Sequence, residues 1–328
     1  MSICLEGQIP FKREVWYNHK TEPTEGYGMN RKQAATLAAL IGNSIFGFSF
    51  MFSRMALDVA TPFVMLMYRF LLAFAAINAV ALWANRHSGQ DWLRFSLRGK
   101  NVGALVVLGL VQPVAYFLCE SYGISLTNSV LSGVIIALVP IVALIFGALF
   151  LGEKPRRARV GYCALSIAGV MVMTMQQSSG GNIRLLGVVL LFGAVLTGVL
   201  FNIISRKTAD TFSALERTYV MMLVAAVCFT ALAAWECRGN MGRMLVPLAS
   251  GRFLGAMLYL SMASSITAFL LLNFANGELP VGKVTAFCNL TTVISVFAGV
   301  VFLGEPFTVL SLIASVVIVV GVWGVQKA

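Results

Sequence analysis

The chain has 328 residues, of which 59% are hydrophobic and 11% charged, and its formal net charge is +11. A soluble globular protein carries about 25% charged residues, so this composition excludes a fold whose whole surface faces water. From residue 34 to residue 325 the chain is a series of apolar runs of about 20 residues, each long enough to cross roughly 30 Å of hydrocarbon. The sequence therefore predicts an all-α membrane protein.

Residues 1–33 are polar and lack the apolar core of a secretory signal, so we predict a cytoplasmic tail. Met29 is an alternative start of the chain. The connections that follow are short, and none has room for a separate soluble domain. Ten transmembrane helices are predicted, at residues 34–57, 61–84, 101–122, 127–150, 157–176, 185–205, 214–236, 252–275, 280–303 and 307–325.

The positive charges predict the orientation of these spans. Of the 24 Lys and Arg residues, 18 lie on the same side as the N-terminus, five lie on the other side, and Arg69 lies within a span. Because Lys and Arg concentrate on the cytoplasmic side of membrane proteins, both termini are predicted to be cytoplasmic, in a bacterial-type plasma membrane. This bias explains the net charge, so no nucleic-acid partner is expected. The expected partners are the lipid bilayer and a small-molecule metabolite, for a monomer or a homodimer.

A four-residue motif, Phe-Leu-Gly-Glu, divides the chain into two halves. It contains Gly152 and Glu153 at its first occurrence, and returns 152 residues later with Gly304 and Glu305. The same shift aligns Arg54 with Arg206, Asp58 with Asp210, Trp83 with Trp235, Gly147 with Gly299, and Gly169 with Gly321. The predicted repeats, residues 34–177 and 185–325, hold five spans each. Because five is odd, the second half is predicted to be inverted relative to the first, as in alternating-access carriers.

Two five-span halves that each contain Leu-Gly-Glu before a Gly-containing final span resemble the drug/metabolite transporter superfamily and, within it, the EamA-like family. The resemblance covers about residues 34–325. It implies ten helices, a central cavity, and export or uptake of small metabolites. Where the first span of this family often carries Trp-Gly, this chain has Phe46-Gly47.

Features that both halves keep are interpreted as structural. Glu153 and Glu305 each precede a helix, where a carboxylate can accept free backbone N–H groups; proton coupling is the alternative. Arg54 with Asp58, and their counterparts in the second half, are spaced as i,i+4 pairs at helix ends and predict ion pairs or lipid headgroup contacts.

Features that differ between the halves are better candidates for substrate binding. Arg69 corresponds to Met221, and Glu120 corresponds to Leu272. Both are ionisable groups inside spans, which usually face a cavity or a partner. We predict an Arg69–Glu120 ion pair that a charged substrate or a proton could open, with a purely structural lock as the alternative.

Several further polar and aromatic side chains are predicted to face the cavity. Gln112 and Tyr116 share one stripe of the third span with Glu120, and Pro113 should loosen that helix. Amides on other spans could bind a polar or zwitterionic metabolite, although interhelical hydrogen bonds are more common. The remaining candidates are Asn43, Phe50, Asn202, Asn273 and Asn289.

No catalytic or cofactor-binding pattern is found in the sequence. His19 and His87 lie outside the spans, no P-loop is present, and the six cysteines show no CxxC spacing. We therefore predict no enzyme activity, metal site or cofactor.

The resulting hypothesis is a secondary transporter, an exporter of a small polar or amphipathic metabolite by alternating access. The first alternative is an organic-phosphate or nucleotide-sugar carrier, which Arg69 suggests. The alternative from another class is a membrane-embedded enzyme or sensor.

Overall fold

The computed structural model describes residues 30–87, 95–151, 157–178, 184–305 and 307–327, and every regular element within these ranges is helical. Ten long helices occur there, some of them in two or three parts, and two short 3-10 helices, Met241–Met244 and Val246–Ala249, lie between the seventh and the eighth. The ten long helices are α1 (Arg31–Leu57), α2 (Pro62–His87), α3 (Gly103–Leu126), α4 (Ser129–Ile136 and Val139–Leu151), α5 (Arg157–Ser178), α6 (Leu185–Thr208), α7 (Ala214–Glu236), α8 (Gly251–Glu278), α9 (Val281–Leu303) and α10 (Val309–Lys327). Each overlaps one of the ten predicted spans.

Seven of these helices are long and apolar enough to cross a membrane, namely α1, α2, α3, α6, α7, α8 and α9. The apolar stretches of α4, α5 and α10 are shorter among the residues described. The prediction of an all-helical membrane protein is therefore confirmed. Residues 1–29 of the predicted N-terminal tail, including the alternative start at Met29, lie outside the described ranges, and residues 31–33 of that tail belong to α1.

Helices α3 and α8 are both irregular near their middles. Tyr259–Ala268 of α8 is π-helical, whereas Leu110–Ala115 of α3 is a kink between two helical segments, and the 152-residue shift places this kink inside the π-helical segment of α8. In α3 the backbone of Gln112 leaves the helical region (φ −146°, ψ 119°), next to Pro113, which has no N–H to donate. Such irregular turns often occur at functional sites, so these two breaks direct attention to the middle of both helices.

Helices α5 and α10, which the repeat relates, pack against each other through corresponding residues. Ser166 Oγ donates to the carbonyl of Ile318, which lies 152 residues later in the chain, at 3.1 Å. A Cβ atom on Gly169 would lie 2.7 Å from Ile318 Cγ1, and a Cβ atom on Gly321 would overlap Ser166 Oγ. The paired glycines therefore let two equivalent helices approach closely at equivalent points.

Two repeated arginines make equivalent contacts at helix ends. Arg54 Nη1 donates to the carbonyl of Ile124 at 3.3 Å, and Arg206 Nη1 donates to the carbonyl of Asn276 at 3.2 Å. Both acceptors lie in the last turn of a helix, α3 and α8, where carbonyls lack intrahelical partners and cations are stabilised. Arg54 also lies 3.9 Å from Asp58. These arginines are therefore part of the scaffold.

Glu305 caps a helix, but not the one that follows it in the chain. Gly304 ends α9 in the left-handed region (φ 63°). The carboxylate of Glu305 then accepts three hydrogen bonds at the start of α4, from Ser129 N at 2.9 Å, Ser129 Oγ at 2.7 Å and Val130 N at 2.8 Å. The second half thereby stabilises a helix of the first. Gly152 and Glu153 lie outside the described residues.

We expect Glu305→Gln to lower the free energy of unfolding by about 2 kcal/mol, because an amide replaces a charged acceptor of three hydrogen bonds. Unfolding of the purified protein in mixed micelles by increasing SDS measures this loss. Glu278→Gln is the matched control, since Glu278 pairs with the exposed Arg31 at 2.9 Å. Such a pair contributes about 0.5 kcal/mol, and equal losses in the two variants would contradict the capping role.

Candidate functional site

A cavity lies among α1, α3, α4, α6, α8 and α9, with about 60 Å³ of room for water-sized spheres inside a space of about 580 Å³ that includes open solvent. These helices form three pairs that the repeat relates, α1 with α6, α3 with α8 and α4 with α9. The cavity therefore lies between the two halves, where carriers built from repeats hold their substrates. It is lined by Asn43, Phe46, Phe50, Gln112, Tyr116, Glu120, Ile136, Val139, Gly198, Phe201, Asn202, Leu272, Val284, Cys288 and Thr291.

Nine residues were predicted from the sequence as substrate-binding candidates, and six of them line this cavity. The six are Asn43, Phe50, Gln112, Tyr116, Glu120 and Asn202. The kink in α3 lies beside Gln112 and Tyr116, so the irregular backbone coincides with the cavity wall. The other three candidates, Arg69, Asn273 and Asn289, are not among the lining residues.

The cavity contains polar atoms that have no hydrogen-bond partner. Glu120 is 2% exposed, and its Oε1 accepts a long hydrogen bond of 3.4 Å from Tyr116 Oη. Its other oxygen, Oε2, has no partner, and neither has Gln112 Oε1. Buried polar atoms are nearly always satisfied in native proteins, so these two acceptors are the positions where a ligand or water is expected.

The two asparagines at the cavity are already engaged. Asn43 accepts from Thr291 Oγ1 through its carbonyl at 2.9 Å and its Oδ1 at 3.2 Å, which joins α1 to α9. Asn202 Nδ2 donates to the carbonyl of Gly198, one turn earlier in α6, at 2.8 Å. Asn43 therefore takes part in interhelical hydrogen bonding, which was the alternative to substrate binding that the sequence analysis gave for the amides.

Aromatic rings form much of the apolar wall. Phe46, Phe50 and Phe201 line the cavity, and Phe269 lies behind them, with its ring centroid 5.2 Å from that of Phe46 and 5.7 Å from that of Phe201. Phe201 was not predicted from the sequence, because one ring in an apolar run carries no signal. Edge contacts between aromatic rings are favourable, so the contacts with Phe269 stabilise the wall of the cavity.

On α9 the cavity is lined by Val284, Cys288 and Thr291, and the predicted Asn289 is not among the lining residues. Asn289 directly follows Cys288, which places it about 100° farther around the helix. Thr292, on the same face as Asn289, donates to the carbonyl of Gly133 on α4 at 2.9 Å. Asn289 is half-buried, and its Oδ1 has no partner.

Arg69 is fully buried, and the predicted ion pair with Glu120 is not formed within 4.0 Å. Its Nε donates to Ser265 Oγ at 2.9 Å and its Nη2 to Ser264 Oγ at 2.8 Å, in the π-helical segment of α8. The guanidinium carbon lies 4.0 Å from the ring centroid of Phe117. Two hydroxyls and an aromatic face thus take the place of the carboxylate, although Nη1 has no partner.

Asn273 belongs to a network around a buried arginine that the sequence did not single out. Arg217, in the first turn of α7, donates to Ser205 O at 2.7 Å, to Ser205 Oγ at 2.9 Å and to Asn273 O at 2.7 Å. Asn273 Nδ2 donates to Thr218 Oγ1 at 2.9 Å, and Asn273 Oδ1 accepts from Ser205 Oγ at 2.7 Å. This network joins α6, α7 and α8, so Asn273 is engaged in helix packing.

A second cavity, of about 780 Å³, is lined by groups of both charges. Lys100 lies 2.8 Å from Glu216, and Arg31 lies 2.9 Å from Glu278. Because these charges neutralise one another, and Arg217 is bound to carbonyls, we assign this region to the support of the helix ends and not to ligand binding.

Comparison with known proteins gives one family. The model of the EamA-like transporter family matches the chain twice, at residues 33–175 and 185–326. A protein named "Uncharacterized transporter YcxC", from Bacillus subtilis (strain 168), is 31% identical over 298 residues, which are 90% of this chain and 93% of that protein. A "Probable terminal-alkyne amino-acid exporter" from Streptantibioticus cattleyicolor is 23% identical over 232 residues, which are 70% and 75% of the two chains.

Solved structures match the fold, among them a crystal structure of a protein. Its TM-score is 0.64 at 18% identity, and the match covers 90% of this chain and 97% of that chain. At this identity the likeness extends to the fold alone.

Proposed function

Since the chain belongs to the EamA-like transporter family, we propose that it is a secondary transporter that exports a small amphipathic metabolite by alternating access. The observation that carries this proposal is the cavity between the two halves, where buried acceptors and aromatic rings share one wall. Rocking of two inverted five-helix halves would expose that cavity first to one side of the membrane and then to the other.

Ten membrane crossings are part of this proposal. The 22 residues of α5 and the 19 residues of α10 correspond to about 33 and 28 Å of helix at 1.5 Å per residue, close to the thickness of the hydrocarbon core. The two parts of α4 are joined by a two-residue turn and together account for a further crossing. Five crossings per half support an inverted arrangement.

The proposed orientation places both termini in the cytoplasm, in a bacterial-type plasma membrane. In that orientation Val284, Leu272 and Asn202 lie toward the cytoplasmic ends of their helices, whereas Glu120 lies within two turns of the outer end of α3. The lining residues therefore extend toward both sides of the membrane.

An amphipathic substrate fits the wall of the cavity, and a similar protein carries the name of an amino-acid exporter. We therefore propose a substrate of about the size of an amino acid. A phosphate-bearing substrate is less well supported, because Arg69, the residue that suggested it, does not line the cavity.

Counterflow in proteoliposomes tests transport. Vesicles with the purified protein, loaded with a pool of unlabelled amino acids and amines, are expected to accumulate the labelled substrate from outside. Gly198→Leu should reduce the rate by about tenfold or more, because overfilling a packed site costs about 1–3 kcal/mol. A Cβ atom at Gly198 would lie 3.6 Å from Tyr116 Cε2 and 3.7 Å from Val139 Cγ2, so Gly198→Ala is tolerated and is the control.

Absence of exchange by a folded wild-type protein, over the whole pool, would contradict the transporter proposal. Unchanged exchange by Gly198→Leu would show that substrate does not pass through this cavity.

A further inference from the structure

The cavity has a single acidic pole. Among the lining residues that the structure describes, Glu120 is the one carboxylate, and none is Lys, Arg or His. The counterpart of Glu120 in the second half is Leu272, which lines the same cavity. The two halves therefore contribute unlike groups from equivalent positions, an acid from α3 and a hydrocarbon side chain from α8.

The acceptor capacity of Glu120 is largely unused. An ionised carboxylate can accept about four hydrogen bonds, yet here it receives one long bond from Tyr116, and Oε2 has no partner. Arg69 of α2 acts electrostatically on Glu120, Tyr259 of α8 on Arg69, and Cys288 of α9 on Tyr116. None of Arg69, Tyr259 and Cys288 is hydrogen-bonded to the carboxylate.

Arg69 is held by other partners through Nε and Nη2, while its Nη1 has no partner, and Tyr259 is held through its hydroxyl. Ser264 and Ser265 of α8 accept hydrogen bonds from the guanidinium of Arg69. The hydroxyl of Tyr259 donates to the carbonyl of Ile45 at 2.8 Å. An unpaired acid in a membrane interior is expensive unless a cation or a proton joins it. The structure thus offers a cation a buried acceptor that no protein group occupies.

The wall beside this acid suits a hydrocarbon group. Phe46, Phe50 and Phe201 contribute rings, and Ile136 and Val139 of α4 contribute aliphatic surface. An ammonium carries three donors and no acceptor, so it matches Oε2 of Glu120, whereas an anion placed there would be repelled.

We propose that the substrate carries a protonated amine, which binds the carboxylate of Glu120, and a hydrocarbon or aryl group, which lies on the ring-lined wall. This inference rests on the proposed transport function and specifies the chemical class of substrate that binds in the cavity. Glu120 supplies the charge that selects amines over carboxylic acids of the same size.

Binding of three matched probes to the full-length protein in detergent tests this proposal. The probes are 2-phenylethylamine, 2-phenylethanol and 3-phenylpropionate, which share one aryl group and differ in charge. Because the carboxylate accepts a charge-assisted hydrogen bond from an ammonium and repels an anion, we expect the amine to bind about tenfold or more tightly than the alcohol or the acid. In Glu120→Gln the affinity for the amine should fall by about tenfold or more, while that for the alcohol stays.

Two controls keep the test decisive. Glu278→Gln makes the same change outside the cavity and should leave all three affinities unchanged. Glu120→Asp keeps the charge and should keep the preference for the amine. The proposal is overturned if the wild type binds the acid as tightly as the amine or does not bind the amine. It is also overturned if Glu120→Gln retains full affinity for the amine, or if Glu120→Asp loses the preference while it still binds the alcohol. Because binding requires no transport, these outcomes are independent of the counterflow result.

Discussion

Arg217→Met is expected to lower the free energy of unfolding by about 3 kcal/mol. Arg217 is 2% exposed, and its guanidinium satisfies the carbonyls of Ser205 and Asn273 in two neighbouring helices. Methionine has a similar length but no donor, so buried acceptors would lose their partner, which is among the costlier changes in a protein interior. SDS unfolding in mixed micelles measures the loss.

Arg238→Met is the matched control for this change. Arg238 is exposed beyond the end of α7, with its guanidinium 5.4 Å from the ring centroid of Trp235. Exposed substitutions of this kind usually change stability by less than about 0.5 kcal/mol. If Arg217→Met and Arg238→Met had the same effect, the network around Asn273 would not hold α6, α7 and α8 together.

Arg217 also shows what sequence reasoning missed. Its counterpart in the first half is Met65, so it breaks the symmetry as Arg69 does. Its place in the first turn of the span predicted at residues 214–236 made it one of the charges that counted toward orientation. The capping pattern of Ser213 and Glu216 begins α7 at Ala214 and places Arg217 one turn inside the helix. Its partners on α6 and α8 are tertiary and cannot be derived from local pattern.

The repeat was the most informative feature of the sequence. Because hydrophobic runs of span length are hard to mistake, the helices lie where they were predicted, and α7 has the predicted bounds of residues 214–236. Gly169 and Gly321 make equivalent contacts, and so do Arg54 and Arg206. What the shift does not reveal is which helix a residue meets. Glu305 was expected at the next helix and instead contacts α4.

Side-chain direction was the main source of error at the site. A polar stripe in the sequence identifies one face of a helix, but it does not identify the helix that packs against that face. Asn273 was assigned to the cavity and lies in the network of Arg217, whereas Glu120 and Leu272, which the repeat relates, both line the cavity. The rule that residues differing between the two halves bind substrate therefore selects Glu120, which lines the cavity. The same rule also selects Arg69, which does not line it.

Arg69→Gln is expected to slow exchange in proteoliposomes by about tenfold or more while the protein stays folded. Arg69 joins α2 to the π-helical segment of α8 through two serines and lies against Phe117 of α3. Glutamine can donate to one of these hydroxyls but cannot span both or stack as a cation. Since hydrogen bonds to a charged group contribute about 1.5–3 kcal/mol each, loss of one suffices for a tenfold change in rate.

The affinity for 2-phenylethylamine separates two roles of Arg69. Arg69 does not line the cavity, so Arg69→Gln should leave this affinity within about twofold of wild type, well under the 1.4 kcal/mol of a tenfold change. The variant with both Ser264→Ala and Ser265→Ala removes the same contacts from the other side and should slow exchange in the same way. A loss of affinity with an unchanged rate at saturating substrate would instead make Arg69 a ligand contact. The structure favours the first outcome, because Nε and Nη2 of the guanidinium are held by α8 and the aryl ring of Phe117 covers its face.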